Sequence, residues 1–111
     1  MSMPKKLDLE CYRGQSWSQN LYFTRNKSPI NLSGITARAQ IRPAENADAL
    51  AAEMVCTVSA YEGKISLYLP ASITADMLPK TYLYDLKCVD KSGSVTYYVY
   101  GKFVVKGRVT V

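Results

Sequence analysis

From Ile35 to Arg42 the chain alternates without a fault, apolar at odd positions and polar or charged at even ones. Successive side chains of a β-strand point to opposite faces, so this period of two marks a half-buried strand. The same period returns in Lys64–Leu69 and in Val95–Tyr100. A chain written this way closes a sandwich or a barrel. Its 111 residues suffice for one domain with one modest core.

Reading along the chain, Met1–Lys6 is a basic N-terminal arm containing Pro4 and carrying little structure of its own. Residues 7–111 form one β-sandwich domain. Alternation starts at Leu7–Tyr12, breaks at Gly14 and resumes over Ser16–Thr24, where Trp17, Leu21 and Phe23 mark the odd side as the core face. Arg25–Pro29 is a polar turn, and Pro43 stops the 35–42 strand because it supplies no backbone donor. Ala44–Glu53 is rich in helix formers and is either one helical excursion or an ordered loop. Met54–Ala60 and Lys64–Leu69 read as a hairpin around Tyr61-Glu62-Gly63.

Thr74–Leu78 predicts a helical turn capped by Thr74 and closed by Pro79. Thr81–Val89 and Ser94–Tyr100 flank Asp90-Lys91-Ser92-Gly93, where Gly93 can take the left-handed conformation of a hairpin connection. Lys102–Val105 and Arg108–Val111, divided by Gly107, end the chain as a broken strand. The expectation is an all-β fold: about eight antiparallel strands in a β-sandwich, jelly-roll or Ig-like, with at most one or two short helical turns.

Histidine is absent. That removes Ser–His and Cys–His nucleophiles, histidine metal ligands and an imidazole switch. Asp8 and Glu10 share one strand face with nothing to desolvate either, and no loop spaces carboxylates as a calcium site does. The glycines stand singly, so no phosphate-cradling loop exists. The sequence therefore predicts no catalytic residue, no cofactor and no metal. Cys11, Cys56 and Cys88 form no C-x-x-C pair and are odd in number; with no signal peptide, they are expected as reduced, largely buried thiols of a cytosolic product. No apolar run approaches the roughly twenty residues of a membrane span.

Fourteen Lys and Arg against nine Asp and Glu give a net charge of +5. The basic residues are scattered and only Lys5-Lys6 are adjacent, which suits an acidic partner surface better than a nucleic-acid track. Nine tyrosines are the other resource. Alternation puts Tyr97 inward with Val95 and Val99, and Tyr98 and Tyr100 together on the outside. Such a face is ordinary strand composition, a protein interface or a sugar-stacking platform. The candidate protein-contact residues are Lys5, Lys6, Arg25, Lys27, Tyr98 and Tyr100, with Pro43–Glu53 as a further contact segment.

The stretch Pro29-Ile30-Asn31-Leu32-Ser33-Gly34-Ile35-Thr36-Ala37-Arg38-Ala39-Gln40-Ile41-Arg42 resembles a signature of small β-sandwich proteins of tailed-phage virions. Leu69-Pro70-Ala71, Thr74-Ala75 and Leu78-Pro79-Lys80-Thr81-Tyr82-Leu83-Tyr84-Asp85-Leu86 are similar to a second signature of that group, with Lys80-Thr81 replacing its usual glycine. More narrowly, length, basic balance and the run over residues 14–106 look like the capsid decoration (staple) proteins of epsilon-fifteen-type short-tailed Salmonella phages. That resemblance implies a non-enzymatic protein made in the bacterial cytoplasm. It would be a jelly-roll-like sandwich on the outer surface of an icosahedral head, as homodimers at local two-fold axes, and bind the major capsid protein. A tail or baseplate module, or a carbohydrate-binding one, is the alternative.

Overall fold

A computed structural model describes residues 4–45 and 48–107. Ten strands follow in chain order: β1 (Lys5–Lys6), β2 (Leu9–Tyr12), β3 (Trp17–Tyr22), β4 (Thr24–Arg25), β5 (Ser28–Pro29), β6 (Thr36–Pro43), β7 (Ala52–Ser59), β8 (Lys64–Leu69), β9 (Thr81–Val89) and β10 (Val95–Lys106). A 3-10 turn (Ala60–Glu62) links β7 to β8, and one helical turn, α1 (Ala71–Ala75), follows β8.

The main sheet runs β1-β10-β9-β6-β7-β8-β3, with β2 also on β10, while β4 and β5 pair as a separate small hairpin. It curls into two layers because β7 serves both. Ala52 and Met54 pair with Ile41 and Ala39 of β6, whereas Val55–Ser59 pair with β8. Strands that change sheets in this way make the corners of sandwiches. One layer therefore reads β10-β9-β6 and the other β7-β8-β3, the grouping of immunoglobulin-like sandwiches. The jelly-roll option drops out on strand order. All pairings are antiparallel except at one edge, where β1 and β2 run parallel to β10.

The two inner faces meet in one apolar cluster. Ala39, Ile41, Ile65, Leu67, Leu69, Leu86 and Phe103 have no solvent contact. Trp17 of β3 meets Phe103 of β10 edge to face across the layers, at 5.0 Å between ring centres. The period of two thus predicts the inward sets of β6 and β8 as they stand. Gly93 has φ +88°, as its hairpin requires. The Asp90 carboxylate accepts the Ser92 and Ser94 N–H groups beside it. The Ser92 hydroxyl, which donates to the same carboxylate, and the Ser94 N–H hold its pKa below the ordinary value.

One alternative is resolved and two local expectations are corrected. Of helix and loop for residues 44–53, the loop holds among those described as far as Ala51, and Ala52 and Met54 point inward on β7. Ladder bonds and burial there outweigh the helix propensity of alanine, which tertiary context readily overrides. The helical turn lies three residues earlier than expected, on Ala71–Ala75, with Pro70 at its cap position. Thr74 is fully buried inside it, and its hydroxyl donates to the Gln15 carbonyl and accepts from the Gly14 N–H. That side chain ties the turn to the β2–β3 corner and is not a cap. Finally, Lys102–Val105 continues β10 without a break at Gly101. Of the N-terminal arm, Lys5 and Lys6 form β1 on the edge of β10, while Met1–Met3 lie outside the described residues, as do Arg108–Val111.

Candidate interaction surface

The outer face of the layer β6-β9-β10 carries three cross-strand rows. Register places Arg38 beside Lys87 and Lys87 beside Tyr97; Gln40 beside Asp85 and Asp85 beside Tyr100; and Arg42 beside Leu83 and Leu83 beside Lys102. Residues directly opposite in a ladder share a face, so the rows form one continuous surface. The middle row extends at both ends: Glu53 of β7 pairs with Gln40, and Lys6 of β1 pairs with Tyr100.

Four cations (Arg38, Arg42, Lys87, Lys102) face two carboxylates (Asp85, Glu53), so the surface is positive even before Lys6 is added. Arg38 is held in a two-pronged bond to Glu53, at 3.0 and 3.1 Å. Arg42 donates to the Gln40 side-chain oxygen at 2.9 Å and to the Asp48 carbonyl at 3.1 Å. These bonds hold both guanidinium groups over the sheet. Partial burial raises the Asp85 pKa, and Arg42 and Lys87 pull it back only in part. A shallow trough of about 430 Å3 lies between these side chains, lined among others by Arg38, Arg42, Leu83, Asp85, Lys87 and Tyr97.

Large apolar and aromatic groups lie open on the same face: Tyr97 is 44%, Tyr100 45% and Leu83 42% exposed. Cations interleaved with half-exposed aromatics supply both steering charge and flat contact area. Among the described residues no three His, Cys, Asp or Glu side chains come together.

The tyrosines of β10 require a correction. Register with β9 slips between Tyr97 and Val99, so Tyr98 is the extra residue of a β-bulge. A bulge sets two residues against one and reverses the alternation beyond it. Tyr97 therefore faces outward beside Lys87. Tyr98 turns inward, half-buried against the core, with its ring 5.2 Å from that of Phe23. Of the six candidate contact residues, the structure brings Lys6 and Tyr100 together on the three-row face and keeps Lys5 next to them on β1. Arg25 and Lys27 sit exposed on the β4–β5 hairpin, which follows β3 and shares no ladder with the rows. Tyr98 leaves the surface.

Arg38, Gln40, Arg42, Leu83, Asp85, Lys87, Tyr97 and Lys102 were not singled out from sequence. The even positions of Ile35–Arg42 announced three of them as outward-facing. Their neighbours across β9 and β10 depend on strand order, which alternation does not encode.

No protein-family model and no curated protein matches the chain. Similar solved structures include CopC from Methylosinus trichosporium OB3b, at 12% identity and a TM-score of 0.51, covering 99% of this chain and 90% of that one. Another is the Siglec domain of GspB, at 15% identity and a TM-score of 0.56, covering 94% of this chain and 56% of that one. At such identities the likeness is one of fold: all are β-sandwich domains.

Proposed function

We propose that this β-sandwich is a non-enzymatic virion structural protein that grips other polypeptides, decorating and stapling the outer surface of an icosahedral phage head. The observation that carries the contact role is the uncovered three-row face, where Tyr97, Leu83 and Tyr100 lie among Arg38, Arg42, Lys87 and Lys102. Such a face suits an acidic, partly apolar protein surface. The signature stretches at Pro29–Arg42 and Leu69–Leu86, and their resemblance to tailed-phage virion sandwiches, supply the choice of partner.

Each copy would bridge neighbouring major capsid subunits through modest contacts, and icosahedral repetition would turn these into large avidity. Charge brings the module to the shell and the aromatic area retains it.

Attachment to heads is the test. The purified chain is mixed with undecorated heads of an epsilon-fifteen-type phage, pelleted, and counted by quantitative mass spectrometry. Hundreds of copies per particle are expected, with most lost in a Tyr100→Ala, Lys102→Glu double variant. Occupancy no higher than that of an unrelated basic β-sandwich overturns the proposal. A glycan-array signal abolished by Tyr97→Ala would move the assignment to a carbohydrate-binding module.

A further inference from the structure

We propose that the open edge from Trp17 to Arg25 takes up an extended, acidic segment of another protein as an added antiparallel strand, whose N-terminal carboxylates meet Arg25 and Lys27. The inference does not rest on the phage-head assignment.

The main sheet ends at β3, and among the described residues no strand lies beyond it. Two bonds fix which backbone groups are left over. The Phe23 N–H donates to the Gly63 carbonyl and the Phe23 carbonyl accepts from the Ile30 N–H, so both groups point to the β8 side. Backbone groups alternate sides along a strand, which turns those of Ser18, Asn20 and Tyr22 the other way. The phase carries on into β4. Thr24 stands opposite Pro29, which has no N–H to give, while Arg25 faces Ser28 across the turn. Thr24 therefore joins the same series, and the open edge runs unbroken past the end of β3. On it the Asn20 carbonyl accepts the neighbouring Gln19 side-chain amide at 3.2 Å, a local group in the place of a ladder partner.

Natural sheets defend open edges with charged residues, proline, bulges or very short strands. β3 has none of these, being six residues long, uncharged and in unbroken register with β8. At the other end of the sheet, β1 and β2 bring Lys5, Lys6 and Glu10 to the edge. Strand addition uses an undefended edge of this kind: main-chain bonds give affinity, and the side chains beside the edge choose the sequence. The Tyr22 ring, 64% exposed, offers flat area to a neighbouring side chain.

Charge selects the occupant. Arg25 and Lys27 stand exposed on the β4–β5 turn where the edge ends, and among the described residues no carboxylate pairs with either. Asn26 and Lys27 have φ of +53° and +66°, the left-handed pair that a two-residue hairpin turn needs. Glycine is the usual residue at the second of these positions; a lysine there accepts backbone strain and holds out a cation. A chain of net charge +5 repels its own copies and draws in an acidic segment. Antiparallel pairing is the more stable ladder, and it sets the N-terminal end of the segment against Arg25. Carboxylates therefore belong at that end, with small or β-branched residues along the rest.

The probe is a synthetic ten-residue peptide, three aspartates followed by alternating threonine and valine, added to the full chain and followed by NMR. The Ser18, Asn20, Tyr22 and Thr24 amides should shift and exchange more slowly, while Gln19 and Leu21, already turned to β8, keep their exchange rates. A peptide with three lysines in place of the aspartates should bind about tenfold more weakly, and an Arg25→Glu, Lys27→Glu double variant should reverse that order. N-methylation of alternate residues gives two further peptides, one blocked on each edge. Only the one blocked on the side facing β3 should lose binding.

No response of these amides to millimolar aspartate peptide overturns the proposal. So does equal binding of the aspartate and lysine peptides, or equal loss with either N-methylation pattern. Slowing of the same amides by raised concentration of the chain alone would give the edge to a second copy and overturn it too. Head attachment enters none of these measurements, so the two readings fail separately.

Discussion

The Tyr84 hydroxyl donates to the Leu7 carbonyl at 2.5 Å, tying the connection between β1 and β2 to the middle of β9. Between them passes Gly101 of β10, where a β-carbon would fall 2.3 Å from that same carbonyl oxygen. Leu7 returns a bond of its own, from its N–H to the Tyr100 carbonyl, and the Asp8 side chain accepts the Lys102 N–H. A glycine and a buried phenol thus decide together that the first strands lie on β10. This in turn brings Lys6 to Tyr100.

Tyr84→Phe removes the only donor to that carbonyl among the described residues and should cost about 1–3 kcal/mol. Gly101→Ala forces Leu7 off the sheet. Hydrogen exchange checks both: amides of residues 5–12 should lose protection while those of β8 keep theirs. Uniform loss across the sheet would mean that Leu7 is not locally held.

Tyr98 and Tyr100 should respond in opposite ways. Tyr98→Ala removes the Phe23 contact and half-buried area, lowering stability by about 2 kcal/mol with the three-row face intact. Tyr100→Ala should change stability by no more than about 0.5 kcal/mol but weaken head attachment. Thermal melts and pelleting of the same two variants separate the roles. The reverse result would place Tyr98 on the contact surface.

Alkaline pH should destabilise the fold in a defined window. Burial pushes the Cys11 and Cys88 thiols up to about 11, from 9.0 when free, with the neighbouring Cys56 adding to the rise at Cys88. Between those values the unfolded chain has lost protons that the folded chain still holds. Stability is therefore complete below pH 9 and falls as pH climbs towards 11, on the order of 2 kcal/mol per thiol. Urea midpoints at pH 8, 9.5 and 11 measure the slope, and Cys11→Ala with Cys88→Ala should flatten it. Burial raises the Tyr84 phenol as well, helped by the Asp8 carboxylate, which adds a further loss above pH 10. At neutral pH the same thiols should react slowly with alkylating reagents until the chain unfolds.

Removing residues 1–6 takes away β1 and the Lys6 side chain beside Tyr100 while leaving Leu7 and β2 in place. The truncated chain should fold with a small loss of stability and occupy heads less well. Equal occupancy of truncated and full-length chains would show that this corner of the face makes no contact.

The sequence by itself determined which side of each regular strand is buried. In Ile35–Arg42 and Lys64–Leu69 the chemical alternation and the pleat share one period, so Ala39, Ile41, Ile65, Leu67 and Leu69 could be read as core directly. It also determined the Gly93 turn, because few residues tolerate that backbone conformation. Tertiary structure alone decided which strands are neighbours. Hence it decided that Arg38, Lys87 and Tyr97 form one row, that β3 is left open, and that the bulge exchanges the faces of Tyr97 and Tyr98. The physical reason is that alternation is a property of one strand, whereas a row, an edge and a bulge are relations between strands. Long-range packing sets those relations, and no local stretch of residues encodes them.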